Sequence, residues 1–304
     1  MPPNLPKTGG TEPEQQESAA NMFRITSRHV FALAFLAIFA ACAPVARPSR
    51  PAHAPRIVSL LPAFTEDLFA VGAGSQVVAV SRFSDFPPAA RALPRVADVS
   101  SIDVERIVAL HPDAIVGIPS QQRLLEPLVR AGFDVRIVPN DSYADVFSAI
   151  RTLGRLSGHS ARANAEIERL RRTTAALHAR TRAFKRHPSV FVALGTGPIW
   201  TAGDGSYIAE MIAIAGGRNA AADVRLPYAE YNEEALLRDQ PDAIVYGSDT
   251  KLASVLNREP WRDLRAVREG HVYQLPDADW LYRPGPRYIK GLHWLIERLT
   301  PLAR

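Results

Sequence analysis

Cysteine occurs once in these 304 residues, at Cys42, so no intramolecular disulfide can form. Lysine is scarce as well, standing only at positions 7, 185, 251 and 290, so arginine carries most of the positive charge. The arginines are scattered outside one long helical segment. A formal net charge of +5 therefore describes a mildly basic protein and not a nucleic-acid-binding surface. There is no Gly-x-Ser-x-Gly elbow and no glycine-rich phosphate loop. The histidines at 29, 53, 111, 159, 178, 187, 271 and 293 show neither His-x-x-x-His nor His-Glu-x-x-His spacing. Catalysis, a bound metal and a resident cofactor thus have no support, and a binding role is expected.

What is present begins with an address. Residues 1–21 are polar and rich in Pro, Gly, Glu and Gln. After Met22 comes a basic stretch with Arg24, Arg28 and His29, then an apolar run from Val30 to Ala41, too short to span a bilayer comfortably. This is the layout of an export signal, with Met1 and Met22 both open as starts. Phe39-Ala40-Ala41-Cys42 resembles a bacterial lipobox, and a lone cysteine there suits lipid attachment. Ordinary cleavage after Ala43 is the alternative. Either way the mature protein is expected in the periplasm or at an extracytoplasmic membrane surface.

A Pro/Ala/Arg-rich tether is expected over residues 43–55, and an N-terminal α/β lobe over 56–157. The segment Arg56–Leu61 reads as a buried strand ending at Pro62, and Thr65–Val71 as a helix closed by Gly72. Strands at 77–80, 114–116 and 135–138 then alternate with helices near 103–110, 121–131 and 143–156, the pattern of a parallel sheet. Residues 160–186 hold neither Gly nor Pro. Ile167, Leu170, Thr174, Leu177 and Phe184 form a thin apolar stripe there, which suits a connecting helix over 158–187. A second α/β lobe follows over 188–304, opening with a strand at Ser189–Leu194. The expected architecture is α/β: two Rossmann-like lobes with parallel sheets, joined by one long backbone helix, with a cleft between them.

The second lobe repeats the first. Asp103–Val116 (DVERIVALHPDAIV) aligns without a gap with Asn232–Val245 (NEEALLRDQPDAIV). Asp103 and Asn232 are helix caps, and Glu105 and Glu234 lie in the first turns, where the helix dipole favours an acid. A Pro-Asp turn then feeds a buried Ala-Ile-Val strand in each copy. Glu66–Gly72 and Glu210–Gly216 make a fainter second echo.

Three further segments carry a family resemblance. Arg56–Glu66 (RIVSLLPAFTE), Ser84–Pro88 (SDFPP) and Val104–Leu110 (VERIVAL) resemble the periplasmic cobalamin-binding proteins and the wider class of corrinoid and iron-chelate receptors of ABC importers. The resemblance runs over residues 55–302 and implies little hinge motion. It also implies delivery of a ring-shaped ligand by a monomeric receptor to a permease dimer carrying ATPase subunits. Glu105 and Glu234 fall on that family's permease-docking glutamates; the residues alone equally allow plain helix-start acids. Phe83, Trp200 and Tyr228 fall on cleft aromatics, and Asp279, Trp280 and Arg283 on the segment whose acid and arginine reach the ligand. Flat rings call for such faces with a few orienting polar groups. Val99 and Ile118 stand where the cobalamin binders have two more tryptophans, which opens the ligand to cobalamin, cobinamide or another corrinoid. A haem reading draws on Tyr228, Tyr231 or Tyr282 as iron ligand. A ferric-siderophore reading draws on Arg225, Arg283 and Arg287. A sensor uncoupled from transport is a further alternative.

Overall fold

The computed structural model describes residues 54–98 and 100–304. Cys42, the expected export signal, most of the expected tether and Val99 lie outside the described residues. Ile57–Ser59 (β1) is buried throughout, as a central parallel strand requires. Pro62 does not merely end that strand. It occupies the first turn of helix α1 (Pro62–Ala70), where its missing N–H costs nothing.

The N-terminal sheet continues with β2 (Val77–Ser81), β3 (Arg95–Ala97), β4 (Ala114–Gly117) and β5 (Val135–Ile137). Its order is β3-β2-β1-β4-β5, all parallel, with helices α2 (Val104–Ala109) and α3 (Gln122–Arg130) in the connections. Helix α4 (Tyr143–Leu156) leads to the long α5 (Ser160–Thr181). At 22 residues α5 spans about 33 Å. It stops earlier than its Gly/Pro-free sequence suggests, and Phe184 lies beyond its end.

Beyond α5 come β6 (Ser189–Ala193), a hairpin of β7 (Gly195–Thr196) and β8 (Ile199–Ala202), and helix α6 (Tyr207–Ile214). These are followed by β9 (Arg218–Asn219), β10 (Tyr228–Glu230), α7 (Glu233–Asp239) and β11 (Ala243–Tyr246). The chain ends with α8 (Arg265–Arg268), β12 (Val272–Gln274), α9 (Asp279–Tyr282) and α10 (Tyr288–Leu299). The second parallel sheet has the order β12-β11-β6-β9, while β10, β8 and β7 form a small antiparallel sheet. That small sheet was not foreseen from the sequence.

The repeat extends to backbone detail. Asp103 accepts from the Arg106 N–H and Asn232 from the Ala235 N–H, each at 3.0 Å, so Glu105 and Glu234 share the second helical position. His111 and Gln240, both preceding proline, are left-handed at φ 46° and 42°. Asp113 then accepts the Arg56 N–H at 2.9 Å, and Asp242 accepts the Ser189 N–H at 2.8 Å. Each Pro-Asp turn therefore closes onto the chain entering its lobe's central strand.

Each sheet keeps a private apolar layer, built around Ile107, Ile115 and Leu125 in one lobe and Phe191, Leu236 and Trp261 in the other. A third cluster is shared between the lobes. It runs from Phe64 and Val116 through Ile167 and Leu170 of α5 to Val245 and Leu295. The faint echo gains a role here. Gly72 (φ +87°) and Gly216 (φ +80°) end α1 and α6, and an added Cβ would strike Arg162 of α5 or Phe184 just beyond it. The helix thus seats both lobes, and residues 54–304 form one unit.

Candidate functional site

In open parallel sheets, ligands bind beyond the carboxyl ends of the strands, where neighbouring connections leave in opposite directions. These points lie between β1 and β4 in the first sheet and between β6 and β11 in the second. At the first, Leu60, Leu61, Pro62, Phe83, Ile118 and Gln121 line a hollow of about 120 Å³. That is a fraction of an ordinary ligand cavity, and every residue lining it belongs to the N-terminal lobe.

Exposed apolar residues gather near the same strand ends. Among the described residues seven large hydrophobic side chains are exposed, and five of them, Phe83, Phe86, Trp200, Leu226 and Tyr228, lie on the loop after β2 or on the β8–β10 ribbon and its approach. Trp200 and Tyr228 share a face of that ribbon. Glu230 is opposite Trp200 and Tyr228 is opposite Ala202, which makes the two aromatics diagonal neighbours. Phe83 exposes 54% of its surface and Trp200 43%, so neither is a core aromatic.

The loop carrying Phe83 is held by buried hydroxyls. Ser59 lies 2.9 Å from Thr65, Thr65 donates to Ser84 at 3.1 Å, and Ser84 lies 2.8 Å from Ser81. Arg95 closes the same loop by donating to the Ser84 carbonyl at 2.7 Å.

Ion pairs cross between the lobes beside that loop. Arg283 donates to Asp85 Oδ1 at 2.8 Å, to the Phe83 carbonyl at 2.9 Å and to Glu66 Oε1 at 3.3 Å, and it pairs with Asp279 at 2.8 Å. Arg287 grips Glu66 with two hydrogen bonds, 2.7 and 2.8 Å, and also reaches Asp277 at 2.8 Å and Asp279 at 3.2 Å. Its guanidinium stands 4.2 Å from the Phe86 ring centre. Burial opposes the Arg287 charge, but Glu66 outweighs it and raises the pKa. Burial likewise works against ionised Asp85, yet the Arg283 contacts win and hold it below its ordinary value. At Asp279 burial wins over Arg283 and the carboxyl is raised. Glu66 was missed as a site residue, and Arg287 was named only for the siderophore reading; their separation of 221 positions in sequence hides the pairing.

Trp280 is half-buried, with the Lys290 ammonium 5.4 Å from its ring, so one face is already in use. Of the three tyrosines, Tyr231 is buried and donates to Asp239 at 2.6 Å inside the second lobe. The Tyr282 hydroxyl accepts the Gly247 N–H at 2.7 Å and faces the Ala193 carbonyl. Tyr228 is the most exposed of the three, at 36% of its surface, yet the protein around it still desolvates the phenol, which with Asp141 adding to the effect pushes its pKa up to about 12. Arg225 is exposed and forms no ion pair among the described residues. Glu105 and Glu234 are exposed, and neither takes part in a hydrogen bond or ion pair among the described residues.

Two parallel-sheet lobes seated on one helix, with exposed aromatics beyond the strand ends of each, are the frame of a solute receptor. A family model for "Periplasmic binding protein" matches residues 57–278, and the chain belongs to that family. It is 35% identical over 262 residues to the vitamin B12-binding protein of Pectobacterium carotovorum, covering 82% of this chain and 89% of that one. The periplasmic vitamin B12 binding protein BtuF of Vibrio cholerae shares its fold at a TM-score of 0.72 and 31% identity, over 82% of this chain and 97% of that one. The periplasmic heme-binding protein RhuT from Roseiflexus sp. RS-1 does so at 0.75 and 26%, over 83% and 100%. The chain accordingly works outside the cytoplasm, in a family of binding proteins. Among the described residues, no helix is long and apolar enough to cross a membrane.

Proposed function

We propose that this protein captures cobalamin or a related corrinoid in the interlobe cleft and delivers it to an ABC permease, catalysing no reaction itself. The observation that carries the ligand class is the set of exposed aromatics, Phe83, Phe86, Trp200 and Tyr228, around polar groups that bridge the lobes. Aromatic faces contact the rim of a flat macrocycle, while Asp85, Asp279 and Arg283 fix its orientation through hydrogen bonds to side arms. The vitamin B12-binding relatives support the same class. Domain limits of 56–157, 158–187 and 188–304 fit this reading, with α5 as connector. Cys42 supplies a lipid anchor at an extracytoplasmic membrane surface.

The alternative from the same fold is haem, favoured by one observation: Tyr228 is the candidate tyrosine left accessible. A phenol lifted to about 12 resists becoming the phenolate that ferric haem prefers, and this weighs against it. The discriminating experiment incubates purified protein with cyanocobalamin or haemin, removes free ligand by gel filtration and records the absorption spectrum. Retained corrinoid bands are expected, and Trp200→Ala weakens binding by about thirtyfold, since an aromatic hot spot is worth about 2 kcal/mol. Tyr228→Phe leaves corrinoid affinity nearly unchanged. Retention of haemin alone, with a phenolate band lost in Tyr228→Phe, contradicts the corrinoid reading.

A further inference from the structure

The arginines at the cleft floor are already occupied. Glu66, whose side chain is 2% exposed, holds Arg287 with both oxygens and touches Arg283. Asp85, Asp277 and Asp279 take further guanidinium hydrogens, so that two arginines face four carboxylates. Even with Asp279 protonated, the acids outnumber the arginines. Arg82, 5.7 Å from the Phe83 ring centre, shares a groove with Arg95, Asp98 and Asp103, two charges of each sign, so the excess of acid around Arg283 and Arg287 stands.

We propose that Glu66 is a specificity-determining residue. By neutralising Arg283 and Arg287 it makes the cleft accept rings with neutral amide arms and reject those with carboxylate arms. The inference rests on the corrinoid reading above and deepens it. An amide arm offers N–H groups to Asp85, Asp277 and Asp279, whose side chains remain 52%, 36% and 26% exposed. A carboxylate arm meets like charges there. To reach Arg287 it must displace Glu66, leaving a buried carboxylate without its partner. The Phe86 ring, 4.2 Å away, already covers one face of that guanidinium.

The test uses one ring with two kinds of arm: dicyanocobinamide, with amide arms, and dicyanocobyrinic acid, with carboxylate arms. Affinities are measured by equilibrium dialysis. The wild-type protein is expected to prefer the amide ring by at least about tenfold, a modest value for like-charge rejection at an interface. In Glu66→Gln the preference shrinks to about threefold or less, chiefly because the carboxylate ring binds more tightly. Asp85→Asn, at a half-exposed site where folding is not at risk, shifts the preference the same way by a smaller factor. Equal binding of both rings by wild type overturns the proposal, as does an unchanged preference in folded Asp85→Asn and Glu66→Gln. Wild-type protein that binds neither ring contradicts the functional reading together with this inference, a result distinct from equal binding.

Discussion

At the scale of single residues, the most unusual group is one the proposed ligand chemistry does not use. Asp67 is fully buried on α1, and neither carboxyl oxygen has a hydrogen-bond partner among the described residues. Burial first, then the charges of Glu66 and Glu166, raise its pKa well above the usual carboxylate value. A raised acid stabilises the fold fully below its unfolded value near 3.8, and that contribution is lost as pH rises through the folded value. Denaturant unfolding across a pH series should therefore show wild type losing stability over that interval, while Asp67→Asn lacks the slope. At pH 8 the variant should be more stable by about 1 kcal/mol or more. Parallel curves for the two proteins would contradict this account of Asp67. Its chain neighbour Glu66 shows why such residues are hard to read in sequence. Both are acids in the middle of α1, yet among the described residues one is met by two arginines more than 200 positions away and the other by no hydrogen-bond partner.

At the scale of elements, the sequence was informative wherever local chemistry decides. The 14-residue spacing unit at 103–116 and 232–245 sets a cap, a short helix, a turn and a strand through nearest-neighbour interactions, and both copies form them. Helix α4 keeps its expected limits for the same reason, with Ser142 accepting from the Asp145 N–H as a cap. The two-residue strands β7 and β9 escaped notice because nothing local distinguishes them from loop. Aromatics at Phe83, Trp200 and Tyr228 were legible through the family resemblance, whereas the ion pairs behind them were not.

The matching helix starts also carry a prediction. Glu105 and Glu234 are presented at the second position of α2 and α7, exposed and without partners among the described residues. Glu105→Lys and Glu234→Lys should each change stability by only about 0.3–1 kcal/mol and leave ligand affinity intact. If these acids dock onto permease arginines, uptake in cells should fall in each single variant and more in the double, because both lobes engage at once. Normal uptake by the double variant, with ligand binding intact, would make them plain helix-start acids.

At the scale of the whole molecule, the lobes are joined by more than a connecting helix. Tyr143 of α4, Thr174 of α5 and Tyr288 of α10 bring three hydroxyls within 2.7–3.1 Å of one another. Glu210 of α6 accepts the Tyr143 N–H at 2.9 Å, and Tyr207 donates its N–H to the Asp141 carbonyl at 2.7 Å. Together with the shared apolar cluster, these contacts make wide hinge opening expensive, since it would strip buried apolar surface at about 25 cal/mol per Å². Ligand capture then depends on loops and side chains at the cleft mouth and not on closure of whole lobes.

The central claim is that a corrinoid sits between these lobes, and hydrogen–deuterium exchange with and without cyanocobalamin tests it directly. Slowed exchange is predicted in the loop at 82–87 and along the ribbon at 196–202 and 226–230, with no change at the helix starts 103–109 and 232–239. Protection in one lobe alone, at the helix starts, or nowhere at saturating cyanocobalamin would contradict capture in the cleft.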